Sequence, residues 1–197
     1  MKIKLIVSAM SLGAVLLASG CQQWNATSPF NGYTQAAPAA PATPAQMKVD
    51  ARILGSLVVL NQNEMAAATL AQRKASSPSV KNYAAWMYKA HNQNLQETQS
   101  LSQRIGIAPE KGATALALQR QGRQEMATLN RFNGKAFDRV YINAMVKDHA
   151  AALHMIDHKL KTEATNPQLR GQLEATRAHV AEHLQQARAV QREIAHG

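Results

Sequence analysis

A chain of 197 residues has room for one sizeable domain and accessory segments, and 46% hydrophobic with only 5% aromatic content suits long helices better than sheets. Lys and Arg outnumber Asp and Glu by 22 to 12, a formal charge of +10, but the basic residues are scattered, which argues against a nucleic-acid groove. The single cysteine, Cys21, excludes an intrachain disulfide and a cysteine-based zinc cluster.

The N-terminus reads as an export signal over residues 1–20. The positive stretch MKIK precedes the apolar run LIVSAMSLGAVLLA, too short to cross a bilayer comfortably but suited to a signal-peptide core. Ser19, Gly20 and Cys21 follow, and this resembles the lipobox of bacterial lipoproteins, with Ala18 where leucine is commoner. The resemblance implies cleavage before Cys21, acylation of that cysteine and, because Gln22 rather than aspartate comes next, sorting to the outer membrane. Two or more acyl chains would hold the protein on a membrane without a transmembrane helix. Loss of Lys2 and Lys4 leaves 20 basic against 12 acidic residues, a net +8 that fits an anionic envelope surface as partner or serves solubility alone.

From Gln22 to Gln46 there is no charged residue, and Pro29, Pro38, Pro41 and Pro44 lie among small and polar residues. So little apolar surface predicts a disordered tether over 21–47, reaching about 25–30 Å, ahead of a domain over 48–197.

The first long helix is expected over Lys48–Ala75, with Ile53, Leu57, Leu60, Glu64, Ala67 or Ala68, and Ala71 on its apolar face. Ser76-Ser77-Pro78 breaks the chain and opens a second helix, whose stripe is Val80, Ala84, Met87, His91, Leu95, Thr98, Leu101 and Ile105, closed by Gly106. Residues 106–133 read as a crossover carrying one short helix. A third long helix over Lys135–Ala164 puts Met145, His149, Leu153 and Ile156 on one face. Asn166-Pro167 ends it, and a fourth carries Leu169, Leu173, Thr176, Val180, His183 and Ala187. Two helical hairpins and a crossover make an all-α, up-down-up-down four-helix bundle.

Each long helix thus places one ionisable residue in an apolar stripe. If both short turns lie at one end, Glu64, His91, His149 and His183 are 12, 15, 16 and 18 residues from the turns near 76 and 165, within about 9 Å of depth. One group per helix at a common depth is how bundles build metal sites, and imidazoles with a carboxylate suit Zn, Fe, Cu or Ni. A buried hydrogen-bond and ion-pair network would gather the same residues, and the two readings stay open. His154 and His158, an i, i+4 pair, read as a solvated helix surface. His179-Val180-Ala181-Glu182-His183 matches the H-x-x-E-H pattern of certain zinc proteases, but no third ligand follows in the expected context.

The chain resembles the bacterial envelope family labelled domain of unknown function 4142. The likeness covers about 49–190 and rests on four features: Glu64 with the small residues after it; Val80, Ala84, Met87 and His91; Phe137, Asp138 and Tyr141 followed by His149; and His183, Leu184 and Ala187. It implies a ferritin-like bundle and no settled activity. The wider ferritin-like group holds two metal ions through glutamates and E-x-x-H motifs; Glu64 is the only carboxylate placed at the midplane here, so ferritin-like oxidation chemistry is not expected. Two functions are carried forward. The first is a non-enzymatic envelope lipoprotein with a binding, structural or stress-related role. The alternative is a metal-binding bundle, a chaperone or oxidoreductase, using Glu64, His91, His149 and His183. Oligomeric state is not assigned.

Overall fold

In the computed structural model residues 41–196 are described; the expected signal peptide and Cys21 lie outside them. Five helices and no strand occur among the described residues. Helix α1 spans Pro44–Lys74, starting within the stretch expected to be tether. The cause is a capping box: the Gln46 amide donates to Thr43 Oγ1 at 3.3 Å, the Thr43 amide donates to Gln46 Oε1 at 2.8 Å, and Pro44 needs no donor at the first helical position.

Helix α2 spans Pro78–Ile105 and ends on Gly106, whose φ of 68° is the left-handed cap conformation that glycine adopts without strain. The crossover helix α3 spans Ala113–Leu129, longer than the short element expected. Helix α4 spans Gly134–Met155 and runs through a π-helical turn, Ile156–Leu160, into Lys161–Glu163. Helix α5 spans Pro167–His196.

Two buried carboxylates show how the helices run. Asp138, near the start of α4, accepts from Ser76 N, Ser76 Oγ and Ser77 N at 3.0, 2.5 and 2.9 Å, clasping the α1–α2 turn. Asp50, near the start of α1, accepts from Thr165 N, Thr165 Oγ1 and Asn166 N at 2.8, 2.6 and 3.1 Å, clasping the α4–α5 turn. The two short turns therefore lie at opposite ends, and α1, α2, α4 and α5 run up, down, down and up rather than alternating. The reason is α3. At about 25 Å long it carries the chain back alongside α1 before α4 begins. Its register along α1 is marked by Glu110 N to Ala51 O at 2.8 Å, Asn63 Nδ2 to Leu118 O at 2.8 Å and Lys74 Nζ to Asn130 O at 2.7 Å. Gly55 admits this strand of chain: a Cβ there would sit 2.0 Å from the Glu110 carbonyl oxygen.

The apolar interior is divided in two. One cluster joins Ala68, Ala71, Val80, Ala84, Met87, Phe137, Ile142 and Met145 at the Asp138 end. The other joins Leu54, Leu57, Leu101, Ile156, Leu160, Leu169 and Leu173 at the Asp50 end. Between them lies a layer of buried polar side chains: Asn61, His91, Asn94, His149, Thr176 and His183.

Candidate metal centre

The three histidines expected at the midplane meet there. His91, His149 and His183 are each 2% exposed, and one ring nitrogen from each lies within 4.8 Å of the others. Ring centroids are 4.9 Å apart for His91 and His183, 5.4 Å for His149 and His183, and 5.9 Å for His91 and His149. Depth survives the error over the turns because His91, His149 and His183 stand near the middle of helices of about thirty residues, so the count from either end is nearly the same.

Hydrogen bonds set the tautomers of His91 and His149. His149 Nδ1 donates to the Met145 carbonyl at 2.8 Å, one turn back on its own helix, which leaves Nε2 with its lone pair. Asn61 Nδ2 donates to Leu57 O and to Asn94 Oδ1, both at 2.9 Å, so Asn61 Oδ1 is the acceptor for His91 Nδ1 at 2.8 Å. His91 Nε2 then also carries a lone pair. Asn94 Nδ2 passes the chain on to Thr176 Oγ1 at 3.0 Å, so α1, α2 and α5 share one polar layer. Beyond those bonds, His91 Nε2, His149 Nε2 and His183 Nδ1 are buried without a partner.

All three rings are held neutral. Burial lowers His91 well below its ordinary value, and the neighbouring His183 and His149 lower it further. Burial brings His149 down to about 4, against a smaller upward push from its bond to Met145 and from Asp148. Burial and the charges of His149 and His179 bring His183 to about 3. A neutral imidazole is the ligand form, so a metal would displace no proton from these rings near neutrality.

Glu64 does not join them. It lines a cavity of about 130 Å³ with Asn63, Leu118, Gln121, Glu125 and Asp148, between α1, α3 and α4. Burial first, then the charge of Asp148, pushes its carboxyl up to about 8. Glu125 is also raised, by burial and by a hydrogen bond shared with Asp148, and Gln121 Nε2 donates to Asp148 Oδ1 at 3.0 Å. The expectation failed because α3 covers a second side of α1 and widens its buried arc. Asn61 holds the place facing α2, and Glu64, three residues on, is turned about 60° toward α3. The overlooked residues of the site are Asn61 and Asn94, each fully or nearly buried. Asn94 stands three residues beyond His91, which was the available signal.

Of the remaining candidates, His154 and His158 are exposed, with rings 4.5 Å apart. His179 and Glu182 are exposed beside buried His183, so the H-x-x-E-H match is not one closed site. An E-x-x-H match, Glu193 to His196, is exposed at the last turn of α5.

No helix among the described residues is long and apolar enough to cross a membrane. No curated protein is similar enough to be matched. Two solved structures share the fold. One, described as a secreted protein, DUF305, from Streptomyces coelicolor, is 14% identical, with a TM-score of 0.60 over 75% of this chain and 94% of that one. The other is CopM in the Cu(II)-bound form, 18% identical, with a TM-score of 0.55 over 73% of this chain and 96% of that one. The family model described as Domain of unknown function (DUF4142) matches residues 35–190, and the chain belongs to that family.

Proposed function

We propose that the domain is a transition-metal-binding bundle of the cell envelope, held to the outer membrane through acylated Cys21, with copper or zinc carried by His91, His149 and His183. The observation that bears this reading is the set of three unpartnered, buried imidazole nitrogens on three different helices. Had the histidines served only to satisfy one another, those nitrogens would be paired, because a buried polar atom left bare costs about 1–3 kcal/mol. An ion equidistant from three nitrogens no more than 4.8 Å apart would lie at most about 2.8 Å from each. Metal–imidazole bonds of about 2.0–2.1 Å need the rings to close by less than 1 Å.

Imidazole ligands suit copper and zinc, and three protein ligands leave a coordination position open to water or to a second molecule. CopM, whose described form binds Cu(II), makes copper the first ion to test. Glu64 is left out of the ligand set. Holding an ion, for storage or transfer, is the role proposed; the envelope location rests on the signal-like N-terminus.

Elemental analysis of full-length, untagged protein extracted from membranes tests the reading. One equivalent of copper or zinc is expected, lost on His91→Leu, His149→Leu or His183→Leu and kept on Glu64→Gln. Metal content unchanged by all three histidine substitutions would sink it.

A further inference from the structure

We infer that the ion reaches the buried triad sideways, between α2 and α5, through a port in which exposed His179 and Glu182 capture it and hand it to His183. This rests on the three-imidazole centre proposed above. The apolar clusters on either side of the triad close both axial routes, since an ion stripped of water gains no ligand along them. The lateral side, between α2 and α5, is different. A depression of about 300 Å³ is lined by Trp86, Lys89, His179, Glu182 and His183, so His183 belongs both to the triad and to a wall that solvent reaches.

His179 and His183, four residues apart on α5, share one helix face, and Glu182 adjoins them. Together they offer a carboxylate oxygen and an imidazole at the mouth, then an imidazole whose Nδ1 is unpartnered inside. Transfer is plain ligand exchange with no change in oxidation state: a hydrated ion gives up waters for Glu182 and His179, and then gives up those two in turn for His183, His91 and His149 as it moves inward. Among the lining residues Glu182 is the one carboxylate, and it shares the depression with Lys89 in a chain whose net charge is positive. The Trp86 ring meets the His183 ring edge-on, centroids 4.7 Å apart and 85° between planes, and narrows the passage to the port.

The test is stopped-flow mixing of the full chain, carrying Trp24→Phe, with Cu(II), read by quenching of Trp86 beside His183. The doubly substituted His179→Gln, Glu182→Gln chain is expected to associate at least tenfold more slowly, within the range by which a local charge alters on-rates. Stoichiometry at equilibrium should stay at one ion. A control with His154→Gln and His158→Gln should load at the parent rate. A port double variant that loads at the parent rate, or a control that slows as much, overturns the port while leaving the triad in place. A parent that binds no ion overturns both, and that result is distinct because the equilibrium amplitude itself is missing.

Discussion

Replacing His149 with leucine should make the metal-free domain more stable while removing its response to metal. His149 is 2% exposed, and its Nε2 has no partner. Its Nδ1 bond goes to the Met145 carbonyl, which as an interior helical carbonyl already accepts the backbone amide four residues on, so deleting the imidazole strands no acceptor. Leucine is close to histidine in volume, so repacking should cost under about 1.5 kcal/mol. Relief of an unpartnered buried nitrogen returns about 1–3 kcal/mol, for a net gain near 1 kcal/mol. That raises the melting temperature by about 2–4 °C for a domain of this size. At pH 8 histidine ionisation does not enter, since His149 titrates near 4 in the fold and near 6.5 when unfolded. Parent protein at a free ion concentration of about 100 Kd should instead gain about 2.7 kcal/mol, and the variant none. Circular-dichroism melts with chelator, then with copper or zinc, read both effects. A metal-free variant destabilised by more than about 1 kcal/mol, beside a parent indifferent to either ion, would refute the reasoning and make His149 a structural residue.

Glu64→Gln should flatten the alkaline side of the stability profile. With the folded carboxyl raised to about 8 against 4.5 unfolded, stability is fully present below 4.5 and is lost as pH rises toward 8, at up to about 1.4 kcal/mol per unit. Urea midpoints for parent and variant should coincide near pH 4 and separate by about 2–4 kcal/mol in the variant's favour at pH 8; parallel profiles would discard this. Asp138→Ala strips the α1–α2 turn of three hydrogen bonds to a charged acceptor and should cost about 3 kcal/mol, or about 10 °C in melting temperature, whether or not metal is present. Gly55→Ala drives a Cβ to 2.0 Å from a backbone oxygen and should release the chain around Glu110, seen as faster amide exchange of Glu110; an unchanged exchange rate would count against that contact.

Periodicity located the helices because buried positions recur at three and four residues, and it found His91, His149 and His183 because each is flanked one turn away by apolar neighbours on its own stripe. It misplaced Glu64 for a definite reason. A stripe reports that a helix face is covered, not which neighbour covers it, and α3 gave α1 a second buried side that no pattern within α1 announces. The start of α1 was legible, since Thr43, Pro44 and Gln46 form a capping box; proline-rich composition outweighed it. The order of helix directions was not legible, because it depends on the length of α3, which buries only Ala115, Gly122 and Leu129. Asn61 and Asn94 escaped notice because asparagine in a helix is usually at the surface, and only the partner across α1 and α2 makes them interior residues.

Asn61 gives the sharpest separation between a polar layer that merely fills the bundle and one built to present lone pairs. Its amide is spent on three bonds: two donated, to Leu57 O and Asn94 Oδ1, and one accepted from His91 Nδ1. The accepted bond fixes His91 in the tautomer with Nε2 bare. Substitution by leucine removes that bond without touching a ligand atom. Outer partners of this kind change metal affinity by about 10–100-fold. Asn61→Leu should therefore keep one ion per chain but weaken binding by that factor in competition with a chromogenic chelator, and Asn61→Asp, which still accepts from His91, should recover most of it. A purely structural Asn61 predicts the reverse ranking of effects: stability lost in both variants and affinity unmoved in either.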